Sequence, residues 1–335
     1  MNVPRNSPVF VSADAARSVF QWEDAVHALQ AAYSRPFEPA ATPARTVASG
    51  GQAWLRCLPA LPPGGRYFGA KLMGMSAAAP QSSVDYVIVL FDRETSQIAA
   101  FVDANLVTGY RTAATSAAAL DRIAPQGPAK LAVLGSGLEA SMHVRAFASV
   151  RPLAEIVVYS TTPARREEFA RKIGEEMGVP SRAVTEPREA VEGADIALAA
   201  ARSHGESPIL FGDWLNPGAT IVSIGSTVPS QREIDVSVVE RADFIVCDTL
   251  EEVLEETGDM IAAAEAGIEV HTKSFSLNAL LAGEIESQRQ AARMPMFKSV
   301  GGGLQDVVVA EMILTKAIAA GLVTPLPIEF DPKHV

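Results

Sequence analysis

The chain has 335 residues, enough for two domains that each bury a core. Its 48% apolar and 20% charged residues are ordinary for a soluble globular protein, and a formal net charge of −11 argues against a nucleic-acid or anionic-membrane surface, since both favour excess Lys and Arg. Two distant cysteines, Cys57 and Cys247, without metal-type spacing, suit packing residues of a reduced cytoplasmic protein, and no apolar run reaches the roughly 20 residues of a membrane span.

The N-terminus, MNVPRNSPVFVSADAA, lacks a basic segment followed by an apolar run, so no signal peptide is expected. Apolar residues at Val19, Phe20, Ala25, Val26, Leu29 and Tyr33 predict one or two amphipathic helices, with Ser12 or Asp14 as cap. Pro36 to Gly65 is rich in Pro and Gly, with QAWLRCL as a strand candidate. RYFGAKLMGMS and DYVIVLFDRETSQIAAFVD read as strands, DRETSQ separating two apolar runs as a hairpin turn does. The first third is therefore α+β with antiparallel strands.

From Lys130 the rhythm changes. KLAVLG, EIVVYS, DIALAA, TIVSIG and DFIVCD alternate with helical stretches such as ARREEFARKIGEEMG, which predicts a parallel sheet covered on both faces. A closing helix, LQDVVVAEMILTKAIAAG, has Gly321 as its stop.

The first of these strands runs into Gly135-x-Gly137-x-x-Ala140, followed by a helix. That context reads as a dinucleotide cradle. Gly135 allows the tight turn, Gly137 lets the backbone approach a pyrophosphate, and Ala140 permits close helix–strand packing. The helix N-terminus offers free N–H groups to phosphate, with Leu138 among the expected cofactor contacts. The next strand ends in Ser160, Thr161 and Thr162 with no carboxylate, and Arg165 or Arg166 follows within a helical turn. An acid there would hold a ribose 2′-hydroxyl, so its absence favours NADP over NAD. Both arginines could instead form a solvated helix face.

Arg111 with Thr112, Ala113, Ala114 and Ser116, directly before the glycine turn, resembles the ornithine cyclodeaminase/μ-crystallin family. PART at Pro43 to Thr46, FGAKLMG, the hairpin VLFDRETSQIAAFVD, IGSTVPSQREID and FKSVGGGLQD resemble its other motifs in order. The resemblance implies a Rossmann doubly wound parallel sheet inserted into a discontinuous α+β substrate-binding and dimerisation domain. The expected division is 1–116 plus 318–335 for the latter and 117–317 for the former, with a homodimer as the assembly. It also implies hydride transfer between a nicotinamide and the α-carbon of an amino or imino acid.

Carried over by motif, Arg45, Lys71 and Arg111 match the family's cationic site for the substrate carboxylate, with Arg56 beside them. Arg can grip a carboxylate bidentately, and a Lys within an apolar strand needs an anionic partner if buried. Lys71 could instead sit at a strand edge with its ammonium in water, and Arg111 could pair structurally. The same resemblance adds Ser226, Thr227, Ser299 and Gly301 to the cofactor contacts and places Asp306 near the nicotinamide, although Ser and Asp beside a Gly-rich turn also cap helices.

Two departures matter. Thr227 stands two residues before Pro229, where cyclodeaminases carry an Asp, and Arg56 stands where they carry an acid. A threonine cannot serve as a general base near neutral pH. The site is thus expected to hold three cations with no nearby anion to take up a proton. The ketimine reductases of that family carry a small hydroxyl residue at the position of Thr227 and use NADPH. The resemblance therefore implies NAD(P)H-dependent reduction of a small cyclic imino acid, of the Δ1-pyrroline-2-carboxylate or Δ1-piperideine-2-carboxylate type, with Lys71 or water held by Thr227 managing the proton. Open-chain amino-acid or opine-type dehydrogenation, cyclodeamination, and ligand binding without turnover are the alternatives. No metal site is expected, and His143, His204 and both cysteines read as core or solvated residues.

Overall fold

The computed structural model describes residues 7–36, 38–77, 83–201, 207–328 and 330. The chain forms two compact units, one of Met1–Arg111 with Gly302–Val335, the other of Thr112–Gly301. Among the described residues no helix is long and apolar enough to cross a membrane.

In the first unit a short strand β1 (Val9–Val11) leads to helices α1 (Ala13–Val19) and α2 (Trp22–Tyr33). Ser12 caps α1, its hydroxyl accepting from the Ala15 N–H at 3.2 Å. Then follow β2 (Thr46–Gly50), β3 (Ala53–Ala60), β4 (Tyr67–Ser76), β5 (Val84–Asp92) and β6 (Ile98–Asp103), and helix α3 (Asn105–Ile123). The sheet runs from a final strand, Thr324–Pro325, through β1, β6, β5, β4 and β3 to β2. Its β2–β6 ladder is antiparallel, as expected. The hairpin turn is held by Asp92, whose Oδ1 accepts from the N–H groups of Glu94 (3.0 Å) and Thr95 (3.1 Å).

A long C-terminal helix, Gly303–Ala319, packs against β3, β4 and β5 and against α1 and α2. Leu304, Val307, Ala310, Ile313 and Leu314 are buried along it. This packing assigns the whole helix to the first unit. The divisions therefore fall at Arg111/Thr112 and Gly301/Gly302 rather than at the 116/117 and 317/318 positions expected from sequence.

The second unit is an open sheet of eight parallel strands: β7 (Ala129–Leu134), β8 (Leu153–Tyr159), β9 (Ser181–Ala183), β10 (Ile196–Ala199), β11 (Thr220–Ser223), β12 (Phe244–Cys247), β13 (Ser274–Ser276) and β14 (Pro295–Lys298). Their spatial order is β13-β12-β14-β11-β10-β7-β8-β9. The order reverses between β7 and β10, the switch point at which open α/β sheets bind ligands. Strand β14 inserts between β11 and β12. Its four residues, PMFK, are too short to declare a strand by periodicity, and the sequence reading does not assign it.

Gly135 ends β7 with φ +125°, and a Cβ there would meet the Ala200 carbonyl oxygen at 2.5 Å. Gly135→Ala combines a forbidden backbone region with a backbone clash, so it is expected to destabilise the second unit by about 1–3 kcal/mol or more. Thermal unfolding measures it; a Tm equal to that of the unsubstituted protein would refute the argument.

Candidate functional site

Strand alternation sends Leu58 of β3, Lys71 of β4 and Ile88 of β5, directly paired across the ladder, to one face of the first sheet. Lys71 is 1% exposed and Arg111, in α3, is 5% exposed. An ammonium so placed needs a counter-charge. The C-terminal helix supplies it. Asp306 Oδ1 lies 2.9 Å from Lys71 Nζ and 3.0 Å from Arg111 Nε. Arg111 also donates to Gln305 Oε1 at 2.7 Å, and Gln305 Nε2 donates to the Tyr33 hydroxyl at 3.0 Å. Asp306 Oδ2 is buried and accepts no hydrogen bond among the described residues.

The expectation of cations without a nearby anion is therefore corrected: Lys71 and Arg111 converge on a carboxylate of the protein itself. Asp306 does not cap the helix, whose N-cap is Gly302. The sequence signal was the pair Gln305–Asp306, two polar residues in an otherwise apolar helical stretch.

Burial, and next the Arg111 charge, bring Lys71 down to about 8, with Asp306 opposing and Arg56 adding a smaller push. Arg56 pairs with Met73, one rung along the same face, and its guanidinium lies 5.3 Å from the Trp54 ring centroid. Arg45 is half-buried, one residue before β2.

In the second unit the glycine turn leads into helix α4 (Leu138–Val150). Gly137 is its N-cap, with φ −91° and no atom within 4 Å of where a Cβ would stand. Neither backbone conformation nor packing demands a glycine there, so its smallness leaves space at the helix N-terminus, as a bound phosphate needs. Ala140 is fully buried and Leu138 exposed. The Ser136 hydroxyl donates to that of Ser160 at 2.8 Å. Thr161, Thr162 and Arg165 are exposed around the start of helix α5 (Pro163–Met177). A cleft of about 510 Å³ between α4 and α5 is lined by Gly137, Leu138 and Arg165 among others. Arg166 turns back to the Ser160 carbonyl at 3.0 Å. These features fit a dinucleotide.

Other expected contacts are occupied inside the fold. The buried Ser226 hydroxyl donates to the Gln231 carbonyl at 2.5 Å, and that of Ser299 donates to Asp248 Oδ2 at 2.6 Å. The Ser226 hydroxyl thus bonds within its own loop, whereas that of Ser299 bonds across to Asp248, the residue after β12. The N–H of Gly301 also donates to Asp248, at 2.8 Å. Thr227 is half-buried, its N–H and hydroxyl 3.3 and 3.4 Å from Gln231 Oε1.

His143 is buried, with Nδ1 2.7 Å from the Glu139 carbonyl and Nε2 3.0 Å from the Ser116 hydroxyl. Burial lowers it to about 4, so the ring is neutral. His204 lies outside the described residues. Cys247 is buried and Cys57 half-buried. Among the described residues no group of His, Cys, Asp and Glu could hold a metal ion.

A dinucleotide-type parallel sheet joined to a mixed sheet with a buried cationic cluster defines the class. Residues 9–321 match the ornithine cyclodeaminase/mu-crystallin family, and the chain belongs to that family. It is 30% identical over 240 residues to ketimine reductase mu-crystallin from Macropus fuliginosus, covering 72% of each chain. It is 26% identical over 243 residues to Delta(1)-pyrroline-2-carboxylate reductase from Bacillus cereus, covering 72% of this chain and 74% of that one. The crystal structure of a probable ornithine cyclodeaminase from Bordetella pertussis Tohama I superposes with a TM-score of 0.83 at 28% identity, covering 96% of this chain and 100% of that one.

Removing the shared counter-charge leaves two adjacent buried cations. Asp306→Asn is expected to cost on the order of 3 kcal/mol in stability. Urea unfolding checks it, and a loss below about 1 kcal/mol would mean that solvent neutralises the pair instead.

Proposed function

We propose that the chain is an NADPH-dependent reductase of a small cyclic imino acid, of the Δ1-pyrroline-2-carboxylate or Δ1-piperideine-2-carboxylate type, yielding the L-amino acid by hydride delivery to C2. The observation that carries this reading is the buried cluster of Lys71, Arg111 and Asp306. Similarity to a ketimine reductase and to a pyrroline-2-carboxylate reductase supports it.

Lys71 and Arg111, with Arg45 and Arg56, bind the substrate carboxylate and orient C2. Donors already held by Asp306 and Gln305 lose little freedom on gripping an anion. Lys71, brought near neutrality by burial, can hold or release a proton at Nζ close to working pH. A protonated imine is already electrophilic, so the chemistry tolerates Thr227 in place of a carboxylate. The nicotinamide supplies the hydride when bound. Gly135, Gly137 and Leu138 hold its pyrophosphate, and Ser160, Thr161, Thr162 and Arg165 receive the ribose end. With no carboxylate at the Ser160–Thr162 end of β8, a 2′-phosphate meets hydroxyls and a guanidinium there, which supports NADPH over NADH.

Purified protein is expected to oxidise NADPH with the cyclic imines and not with pyruvate plus ammonia; the reverse selectivity would replace this reading with an open-chain dehydrogenase. If the Lys71 ammonium is the working form, kcat/KM is level below about 8 and falls as pH rises through that value. A profile flat to pH ~10, the range of an ordinary lysine, would remove Lys71 from the proton inventory. Arg165→Ala is expected to raise KM for NADPH about tenfold and to leave KM for NADH within about twofold, as loss of a 2′-phosphate partner requires.

A further inference from the structure

Beneath the C-terminal ends of β10, β11 and β14 lies a charged cluster that the proposed chemistry does not use. Glu233, Asp259 and Lys298 are each 0% exposed. Lys298 Nζ lies 2.8 Å from Asp259 Oδ2 and donates to the Ser223 hydroxyl at 2.8 Å. Asp259 Oδ1 accepts from the backbone N–H groups of Glu233 (2.8 Å) and Ile234 (3.2 Å). The Glu233 carboxyl faces two other backbone segments. Its Oε1 accepts from Ala201 N–H at 2.7 Å, and its Oε2 accepts from Gly225 N–H at 2.8 Å and from the Ser223 hydroxyl at 3.3 Å.

Burying two carboxyls around one ammonium contributes little net stability compared with apolar packing. Burial, with Asp259 adding and Lys298 opposing, raises Glu233 to about 7. A position that costly is explained by what it holds. Ala201 follows β10, and the neighbouring Ala200 carbonyl is the atom against which Gly135 packs. Gly225 leads into Ser226 and Thr227. The two segments that Glu233 ties thus follow β10 and β11, on the β10 side of the switch point, and one of them abuts the glycine turn. Gly225 itself makes room: a Cβ there would stand 2.2 Å from Glu233 Oε1.

We propose that Glu233 is a positioning residue for the dinucleotide, its carboxyl fixing the Ala200–Ala201 and Gly225–Thr227 segments in the geometry that the cofactor requires. This rests on the dinucleotide part of the reading above and not on the identity of the imine. Glu233 touches no cofactor; it acts through two backbone N–H groups.

The test uses the full chain and NADPH alone as the titrant, read by fluorescence. Glu233→Gln keeps the shape but turns one acceptor into an NH₂ group that faces an N–H donor. It is expected to raise the NADPH Kd about tenfold or more, since small misplacements at a site carry such costs. Tm is expected to stay within about 4 °C, and KM for the imine at saturating NADPH within about twofold. Gly225→Ala, which displaces the carboxyl sterically, is expected to weaken NADPH binding in the same way and carries the test if the Gln variant does not fold. Unchanged NADPH affinity in the folded variants would overturn the proposal. So would a loss shared equally by NADPH and imine, because that pattern marks general loosening. Failure of the unsubstituted protein to bind any nicotinamide dinucleotide would instead overturn the functional reading itself.

Discussion

An ammonium withdrawn from water inside a sheet must find an anion or lose its proton, and Lys71 does some of each. It lies against Asp306, shares that carboxylate with Arg111, and is still pushed toward neutrality by burial. The need for this pairing links β4, α3 and the first turns of the C-terminal helix, three elements far apart in sequence. Breaking a buried pair of this kind is costly, whereas building one contributes little net stability. Its worth is therefore in geometry: donors fixed before any ligand arrives.

That fixed geometry suits recognition of a small acid. A flexible surface lysine would lose side-chain entropy on gripping a carboxylate, whereas Lys71 and Arg111 are already held. Asp306 also tempers the cluster, leaving enough positive charge to attract an acid and a lysine poised near working pH. Family membership and the similarity to imine reductases agree with this chemistry. In the proposed function, Thr227 offers no carboxylate for proton abstraction.

Much of the architecture was legible because periodicity reports burial. The hairpin around Asp92, the capped α1 and the parallel strands β7, β8, β10, β11 and β12 all follow from local pattern, and so does the glycine turn. Strands β9, β13 and β14 were not legible. Each is three or four residues long, and so short a run becomes a strand only through its neighbours. The site divided in the same way. Lys71 and Arg111 were identifiable from motifs, but the anion between them was not, since Asp306 sits on a helix whose sequence partners give no hint of β4. For Ser226 and Ser299 the residue type was legible, but the partners of their hydroxyls, the Gln231 carbonyl and the distant Asp248, were not.

The amino-acid sequence by itself determined the alternation of strands and helices, the need for glycine at Gly135, and the cations available for an acid. Those are local properties, set by backbone sterics and residue chemistry. Only the tertiary structure decided which charges meet. Lys71 with Asp306, and Glu233 with Ala201 and Gly225, are juxtaposed by sheet order and helix packing. The energies of buried charges depend on such distances and on exclusion of water, which no one-dimensional pattern contains.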